Sequence, residues 1–415
     1  MKVLITIEDH LWRGSDAHIY GAGPTGYPLW SELLHSFEQV LILARVASRD
    51  HSSASENKVE GPAISVHELP DYRGPWNYLR SLPILQSRVR AAVAQCDAYL
   101  LRVPGLVGRL AWKEVNRLEN RYAAEVMSDP FETMDRGTMS GYFRPLYRTV
   151  AIQNLNAICS GASATLYWSG RLMPQRYPSA GSAYTCVAPR IFLGSGYASP
   201  ADLAGRCQRI KETKLSSSSC RIGFIGSFAQ LYKGPDILLR ALAICLKGGI
   251  RVQASFVGEG PYLKHMESLS NNLLLSGHVS FLGQLDFGSQ IFDFLDSMDL
   301  FVMPSRAEGL PRALVEAMAR GCPCIGSNVG GIPELLAPED LVPPNNPEAL
   351  AQKIMEVTAN PERMKVTSER NLARAKQFDP EEMCDTRLAF YRYVRDHSGK
   401  NAKSGSEKQS SLQPL

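Results

Sequence analysis

The sequence of 415 residues lacks a long apolar run, and no stretch approaches the ~20 apolar residues that a membrane-spanning helix needs. The apolar run at its start, residues 3–7, is too short for a signal peptide and ends in Glu8 and Asp9. The net charge is only +4, which does not indicate a nucleic-acid partner. We therefore expect a cytoplasmic protein, with any membrane contact peripheral and at the inner face of the cell membrane.

Metal and disulfide patterns are also lacking. The nine cysteines are scattered without metal or disulfide spacing, which is typical of reduced thiols in the cytosol. The closest pair, Cys322 and Cys324, lies at the start of a predicted buried strand, so packing is favoured over redox or metal chemistry. No Asp-x-Asp motif stands at a strand end, and no His/Cys/Asp cluster has metal-ligand spacing. We therefore predict no metal and no other cofactor.

The sequence does contain, in each half, a regular alternation of apolar strands with helix-like segments. In the first half the predicted strands are 3–7, 40–44, 64–69, 98–103, 123–127 and 165–168. In the second half they are 221–225, 252–257, 279–282, 300–303 and 324–325. This alternation predicts parallel sheets covered by helices. Loops that begin with Gly or Ser follow the later strands, at the edge where doubly wound sheets bind ligands.

We predict five segments along the chain. The first, 1–204, and the third, 220–377, are Rossmann-like domains. Between them, 205–219 contains four consecutive serines and is predicted to be a linker. The segment 378–397 is predicted to be a helix that returns to the N-terminal domain. The polar tail, 398–415, is predicted to be disordered.

The segment from Pro304 to Ala319 carries two carboxylates, Glu308 and Glu316, on either side of a Gly-Leu-Pro turn at the start of a predicted helix. A helix N-terminus presents unpaired N–H groups and partial positive charge, which suits a phosphate. Eight residues at helical rise span roughly 12 Å, about the distance from ribose to sugar in a folded nucleotide-sugar. The spacing predicts that each carboxylate holds one end of such a ligand.

These motifs give the second half a resemblance to the family-4 retaining glycosyltransferases of the GT-B fold, and to bacterial exopolysaccharide and capsule enzymes among them. The resemblance covers about 221–357 and rests on the E-x7-E pattern of Glu308 and Glu316. Around that pattern stand, in order, GSFAQLYKG at 226–234, VGEGP at 257–261, FLG at 281–283 and GGIPE at 330–334. In the first half, 102–105 and 125–130 resemble N-terminal segments of the same group more loosely.

The resemblance implies an α/β fold in which two Rossmann-like doubly wound domains face a central cleft. The domain at 1–204 would bind the acceptor, and the domain at 220–377 would bind a nucleotide-sugar donor. Glu316 would accept hydrogen bonds from the ribose hydroxyls, Glu308 would contact the transferred sugar, and Lys233 would pair with the diphosphate. Gly283 lies where the family places main-chain contacts to the base.

The predicted site has two parts. Its catalytic residues are Glu308 and Lys233. Its donor-binding residues are Gly226, Ser227, Gly283, Gly309, Leu310, Arg312, Ala313 and Glu316. Ser227 stands where the family often has an arginine, which leaves one positive charge fewer for the phosphates. Arg306 or Arg312 could supply that charge, or both could be ordinary surface residues.

The acceptor side carries weaker patterns. We predict Asp9, His10 and Asp129 there, because they follow strands that should end at the cleft. The window 77–121 holds eight basic residues and three acids, interleaved with aromatic and aliphatic side chains. Two interpretations stay open: a surface that rests on an anionic inner membrane, which suits a lipid-linked acceptor, or an ordinary solvated helix surface.

The sequence thus predicts a metal-independent retaining hexosyltransferase. It would move a sugar from a nucleotide-diphosphate donor to a glycan or lipid-linked acceptor in cell-surface polysaccharide synthesis. One alternative is a nucleotide-sugar 2-epimerase of the same fold, although its characteristic acid/base pattern is not found. Another is a non-catalytic, nucleotide-binding partner subunit, which the replacement at Ser227 keeps open and the intact Glu308, Lys233 and Glu316 oppose.

Overall fold

The computed structural model describes residues 1–21, 25–48, 57–134, 144–170, 172–191, 193, 196–215, 219–286 and 288–399. Within these residues, strands alternate with helices and form two separate, mainly parallel sheets. The predicted α/β class with two Rossmann-like units is confirmed. The loop at residues 22–24 and the tail from residue 400 onward, which the predictions also cover, lie outside the described residues.

The N-terminal sheet is built from strands between residues 2 and 187. They are β1 (Lys2–Arg13), β2 (Ile19–Gly21), β3 (Gln39–Ser48), β4 (Asn57–Lys58), β5 (Ile64–Pro70), β6 (Ala98–Val103), β7 (Ala123–Val126), β8 (Ala164–Tyr167) and β9 (Tyr184–Val187). The helices among them are α1 (Tyr27–Ser31), α2 (Gly74–Val93), α3 (Leu106–Arg117), α4 (Pro130–Thr133), α5 (Arg144–Gly161) and α6 (Leu172–Arg176). The parallel strands run in the order β5-β3-β1-β6-β7-β8-β9, and the short β2 and β4 join antiparallel.

The C-terminal domain begins with α7 (Pro200–Leu215). Its parallel strands are β10 (Cys220–Ile225), β11 (Val252–Val257), β12 (Val279–Phe281), β13 (Leu300–Met303), β14 (Cys324–Ser327) and β15 (Leu341–Val342). Its helices are α8 (Pro235–Lys247), α9 (Leu263–Asn272), α10 (Ser289–Ser297), α11 (Arg312–Ala319), α12 (Ile332–Leu335), α13 (Pro347–Thr358) and α14 (Pro361–Ala375), and the last helix of the chain is α15 (Pro380–Asp396).

The strand order of the C-terminal sheet places its ligand-binding edge. The order is β12-β11-β10-β13-β14-β15, so β10 lies between β11 and β13. The chain passes from β10 to β11 and β12 on one side and then crosses back to β13 on the other, so the crevice between β10 and β13 is the topological switch point. In open parallel sheets, ligands bind outside the carboxyl ends of the strands at such a point.

Apolar residues on both faces explain why the central strands form. All residues of β6 and β13 are buried, as expected for parallel strands covered by helices on both sides. Gly234 opens α8 with a φ of +71°, and a Cβ there would lie 2.1 Å from the carbonyl oxygen of Pro304. This glycine therefore lets the turn after β10 approach the end of β13 closely.

The predicted linker, 205–219, is largely helical, and this part of the prediction is wrong. The helix α7 ends at Leu215 and packs against α14. Arg206 is buried and donates hydrogen bonds to the carbonyls of Leu295 and Arg320, each at 3.1 Å. These tertiary contacts to the C-terminal domain help to hold residues 205–215 as a helix. The residues 216–218 lie outside the described part of the chain.

The last helix, α15, packs on the N-terminal domain. Tyr393 stacks on Tyr184 of β9 with ring centroids 4.8 Å apart. The hydroxyl of Tyr391 donates to Glu125 at 2.9 Å, and the same buried carboxylate accepts from Arg102 Nε at 2.6 Å. The chain therefore crosses back from the C-terminal domain and ties its end to the N-terminal sheet. None of the described helices is both long and apolar enough to cross a bilayer.

Candidate functional site

An ion pair between Lys233 and Glu308 lies at the switch point of the C-terminal sheet. Lys233 ends the short 3-10 helix after β10, and Glu308 lies in the turn after β13. The Lys233 Nζ is 2.7 Å from Oε1 and 2.8 Å from Oε2 of Glu308, and Ser305 Oγ donates to Oε1 at 2.7 Å. The two residues predicted to be catalytic, 75 positions apart in the chain, therefore touch.

The ion pair keeps the lysine charged in a mostly buried place. The side chains of Lys233 and Glu308 are 17% and 5% exposed. Burial opposes the charged amine, but the adjacent Glu308 carboxylate outweighs it, so the pKa of Lys233 is raised. A diphosphate brought to this point would compete with Glu308 for the same cation.

Glu316 has a different environment from Glu308. Glu316 lies in α11 and is only 6% exposed. Burial raises the pKa of Glu316 to about 7, and the positive charge of Arg312 only partly opposes the rise. A buried carboxylate that is expensive to ionise is typical of a binding site, where a ligand can supply hydrogen-bond donors to it.

The helix α11 begins later than the sequence spacing assumed. Its first residue is Arg312, and Pro311 takes the N-cap position just before it. The amides of Leu314 and Val315 bond back to the Pro311 carbonyl, so those of Arg312 and Ala313 precede the first hydrogen-bonded turn. The expected distance of roughly 12 Å between the carboxylates assumed that all residues from 308 to 316 are helical. This assumption is wrong, because residues 308–311 precede the helix.

The glycine and serine after β10 serve the turn that carries Lys233. A Cβ on Gly226 would lie 3.1 Å from Lys233 Cγ, so this glycine leaves room for the stem of the lysine. Ser227 Oγ accepts a hydrogen bond from the amide of Ala229 at 3.1 Å, which closes the turn. Gly283, at φ +71° after β12, has a left-handed conformation that favours glycine.

Arg306 and Arg312 are the two arginines that could supply the positive charge absent at Ser227. Arg306 binds other groups of the domain. Its guanidinium binds both oxygens of Asp236, at 2.8 and 2.7 Å, and the carbonyl of Leu231 at 2.6 Å. Arg306 therefore fastens the turn after β13 to the start of α8. Arg312 is the one of the two whose charge acts on the site, since it partly opposes the rise in the pKa of both Glu316 and Lys233.

The N-terminal domain closes on this site through the segment after β7. A Cβ on Gly309 would lie 3.1 Å from the carbonyl oxygen of Met127. Asp129, predicted on the acceptor side, caps α4 by accepting from the amide of Phe131 at 2.8 Å. It also accepts from Arg176 and Tyr177 and is buried. These contacts indicate that Asp129 stabilises the conformation of the segment after β7. Its contact with an acceptor stays a prediction.

Asp9 and His10 lie where β1 is irregular, between the paired residues Thr6 and His10. Both are exposed, and His10 Nδ1 is 2.6 Å from an oxygen of Asp71. Their acceptor role also stays a prediction. The neighbouring Glu8 was not singled out, yet its carboxylate accepts from the amide of Val107 at the start of α3, at 2.5 Å.

Four further residues at the site were missed by sequence reasoning. Ser305 had a detectable signal, since it follows β13 directly, in one of the loops that begin with Gly or Ser. Arg176 and Tyr177 had none, because their partner Asp129 lies 47 and 48 positions away. Glu334 stood in the GGIPE motif, but the motif alone assigned no role to it.

Only some of the residues in the basic window 77–121 lie at the surface. Arg102 is buried in the ion pair with Glu125, and Leu85 lies in the core. The exposed apolar side chains of α2 are Trp76, Leu79 and Ile84, which are 76%, 55% and 55% exposed.

Comparison with known proteins agrees with this architecture. Residues 209–374 match the family described as glycosyl transferases group 1. Protein CapJ of Staphylococcus aureus is 24% identical over 329 residues, which cover 79% of each chain. A putative colanic acid biosynthesis glycosyltransferase, WcaL of Escherichia coli, is 31% identical over 131 residues, 29% of this chain and 32% of that one. This match therefore spans about a third of its relative.

Among solved structures, HepE of Anabaena in complex with UDP and glucose superposes with a TM-score of 0.62. It is 19% identical, and the match covers 94% of this chain and 98% of that one. Two facing α/β domains with a site at the switch point of the second define the GT-B class of glycosyltransferases. The match of residues 209–374 to the group 1 glycosyl transferases confirms the resemblance to this group of enzymes, while membership of family 4 stays a prediction.

Replacing Glu316 with glutamine should stabilise the ligand-free protein, and more so at high pH. The folded-state pKa of Glu316 is about 7 against an ordinary 4.5, so the stability this group contributes is lost as pH rises toward and through 7. Because glutamine cannot ionise, the gain should be about 2 kcal/mol larger near pH ~8.5 than near pH ~5.5. Chemical denaturation at both pH values measures it.

The matched control for this comparison is Glu348→Gln, which changes an exposed acid on α13. Its free energy of unfolding should follow that of the wild type at both pH values. An equal gain from Glu316→Gln at both pH values would show that the carboxylate is not held at a raised pKa.

Proposed function

We propose that this protein is a retaining, metal-independent hexosyltransferase of the family-4 type, which acts in cell-surface polysaccharide synthesis. The observation that carries the proposal is the Lys233–Glu308 ion pair at the switch point of a group 1 glycosyl transferase domain. A cation and a carboxylate placed together at a strand-end edge suit the two charges of the reaction, an anionic leaving group and a cationic sugar.

The proposed donor is a hexose linked to a nucleoside diphosphate. Its ribose hydroxyls would donate to Glu316, which would relieve the cost of ionising that buried carboxylate. Its diphosphate would lie against the amides of Gly309, Leu310, Arg312 and Ala313, ahead of α11, where helix amides favour anions. Because HepE was solved in complex with UDP and glucose, UDP is the first nucleotide to test.

In the proposed step, the bond between the anomeric carbon and the phosphate oxygen breaks, and a bond to an acceptor hydroxyl oxygen forms. Lys233 would leave Glu308 to stabilise the charge that develops on the diphosphate. Glu308, released from the ion pair, would face the positive charge near the anomeric carbon. The acceptor proton would pass to the departing phosphate on the same face, so the anomeric configuration is kept. These protein groups would do the work that a divalent cation does in other transferases.

The proposed acceptor is a glycan or a lipid-linked glycan. The support is the name of WcaL, which concerns colanic acid biosynthesis, together with the match to CapJ over most of both chains. A protein that works on lipid-linked glycans would gain from peripheral contact with an anionic membrane. The cytoplasmic location of the proposed activity follows from its nucleotide-sugar donor.

The function is tested with a thermal-shift screen against UDP, GDP, ADP and their sugars. One nucleotide should raise Tm. The nucleotide-sugar that contains it should be hydrolysed slowly when no acceptor is present, both with excess EDTA and without EDTA. A complete absence of hydrolysis would favour the non-catalytic subunit. An isomerised sugar, with no sugar transferred to an acceptor, would favour the 2-epimerase. Activity lost in EDTA and restored by magnesium would overturn metal independence.

Two substitutions separate the proposed roles of the carboxylates. Glu308→Gln should lower kcat much more than donor affinity, because in the proposed donor complex the diphosphate takes over the pairing with Lys233 and the charge of Glu308 acts on the cationic sugar. Glu316→Ala should weaken nucleotide binding by roughly 1–3 kcal/mol, through lost hydrogen bonds at a buried site. Steady-state kinetics and calorimetric titration measure the two effects, with Glu348→Gln as the unaffected control. If Glu308→Gln mainly weakened nucleotide binding and Glu316→Ala mainly lowered kcat, the roles of the two carboxylates would be exchanged.

Membrane contact is a separate part of the proposal. The exposed Trp76, Leu79 and Ile84 recur on one face of α2, where the exposed Arg80 also lies. We expect sedimentation with anionic liposomes at low salt and release as salt rises, because the attraction is screened. Trp76→Ala should weaken sedimentation, whereas Val366→Ala, at an exposed apolar residue of α14, should not. No sedimentation at low salt would remove the idea.

A further inference from the structure

The carboxylate of Glu334 joins the two domains across the cleft. Its Oε1 accepts from Ser169 Oγ at 2.5 Å and from the amide of Leu172 at 3.3 Å. Its Oε2 accepts from the amide of Gly170 at 3.0 Å. All three donors follow β8 in the N-terminal domain, while Glu334 lies on α12 of the C-terminal domain. Hydrogen bonds to an ionised carboxylate are the stronger kind in proteins.

The segment that carries Glu334 also supports the predicted catalytic turn. The amide of Gly331 donates to the carbonyl of Gly309 at 2.8 Å. Gly330 has a φ of +53°, and a Cβ there would lie 2.0 Å from the carbonyl oxygen of Glu308. The backbone just before Glu334 thus rests directly on residues 308 and 309.

On the other side, the donors of these hydrogen bonds continue into residues at the cleft. Met173, in α6, has its Cε 3.8 Å from the position a Cβ would take on Gly309. Arg176 and Tyr177 then bind Asp129. One continuous N-terminal segment therefore contacts Glu334, the catalytic turn and the predicted acceptor side. Its position relative to Glu308 depends on the contact at Glu334.

We propose that Glu334 is a positioning residue that holds the N-terminal domain against the catalytic turn in the arrangement seen here. It acts through Ser169, Gly170 and Leu172 on one side and through the Gly330–Gly331 turn on the other. Holding reacting groups in place and excluding water from the cleft are the effects expected of such a contact. The contribution to rate rests on the proposed function, whereas the contact itself does not.

The contact is tested first by hydrogen exchange, which needs no substrate. In Glu334→Ala, the peptide that carries the amides of Gly170 and Leu172 should exchange about tenfold faster, because those amides lose their acceptor. Amides of α11 should keep their protection, which shows that the C-terminal domain stays folded. Glu348→Ala is the matched control and should leave both peptides unchanged. Unchanged exchange at Gly170 and Leu172 in Glu334→Ala would overturn the proposal.

The effect on the reaction is tested with graded variants. Glu334→Ala should lower kcat about tenfold or more, and Glu334→Gln and Ser169→Ala by less, because each keeps part of the contact. The Kd for UDP should change less than about twofold, since Lys233 and Glu316 are untouched. An equal loss of UDP affinity would overturn the positioning role and indicate damage to the donor domain. A wild type without turnover would instead refute the proposed function, and hydrogen exchange would still decide the contact.

Discussion

The ion pair between Lys233 and Glu308 is the interaction on which the site depends. Neither charge could remain so buried without the other, because an unpaired buried charge costs several kcal/mol. The pair holds together the turns after β10 and β13, which Arg306 and Asp236 also fasten. The close approach needs Gly234, whose left-handed φ lets one turn pass the carbonyl of Pro304. The switch point is therefore built before any ligand arrives.

The two carboxylates of the E-x7-E pattern have different surroundings within the protein. Glu308 has its countercharge and the hydroxyl of Ser305, whereas Glu316 is buried with a pKa of about 7. In the proposed donor complex, Glu308 would exchange partners and Glu316 would gain them. A residue that lowers stability is expected at a position where ligand binding, and not stability, determines the residue type.

Much of the fold could be predicted from local sequence. The bounds of β6, β11 and β13 agree with the prediction to the residue, because continuous apolar runs between polar loops are typical of buried parallel strands. The strands β2 and β4 are only three and two residues long and carry no such signal. The helix α7 was taken for a linker, since its stability comes from the tertiary contacts of Arg206. Lys233 and both glutamates were found because a motif in fixed order surrounds them.

Local sequence patterns are sufficient to predict the α/β class, the two parallel sheets and the charged residues that follow β10 and β13. They do not predict that Lys233 contacts Glu308, that Arg306 pairs with Asp236, or that Glu334 contacts the N-terminal domain; these contacts follow from the folded arrangement of distant segments. The donors to Glu334 lie 162 to 165 positions away from it. Contacts of that range depend on the order of strands and the closure of two domains, which local propensity and periodicity do not encode.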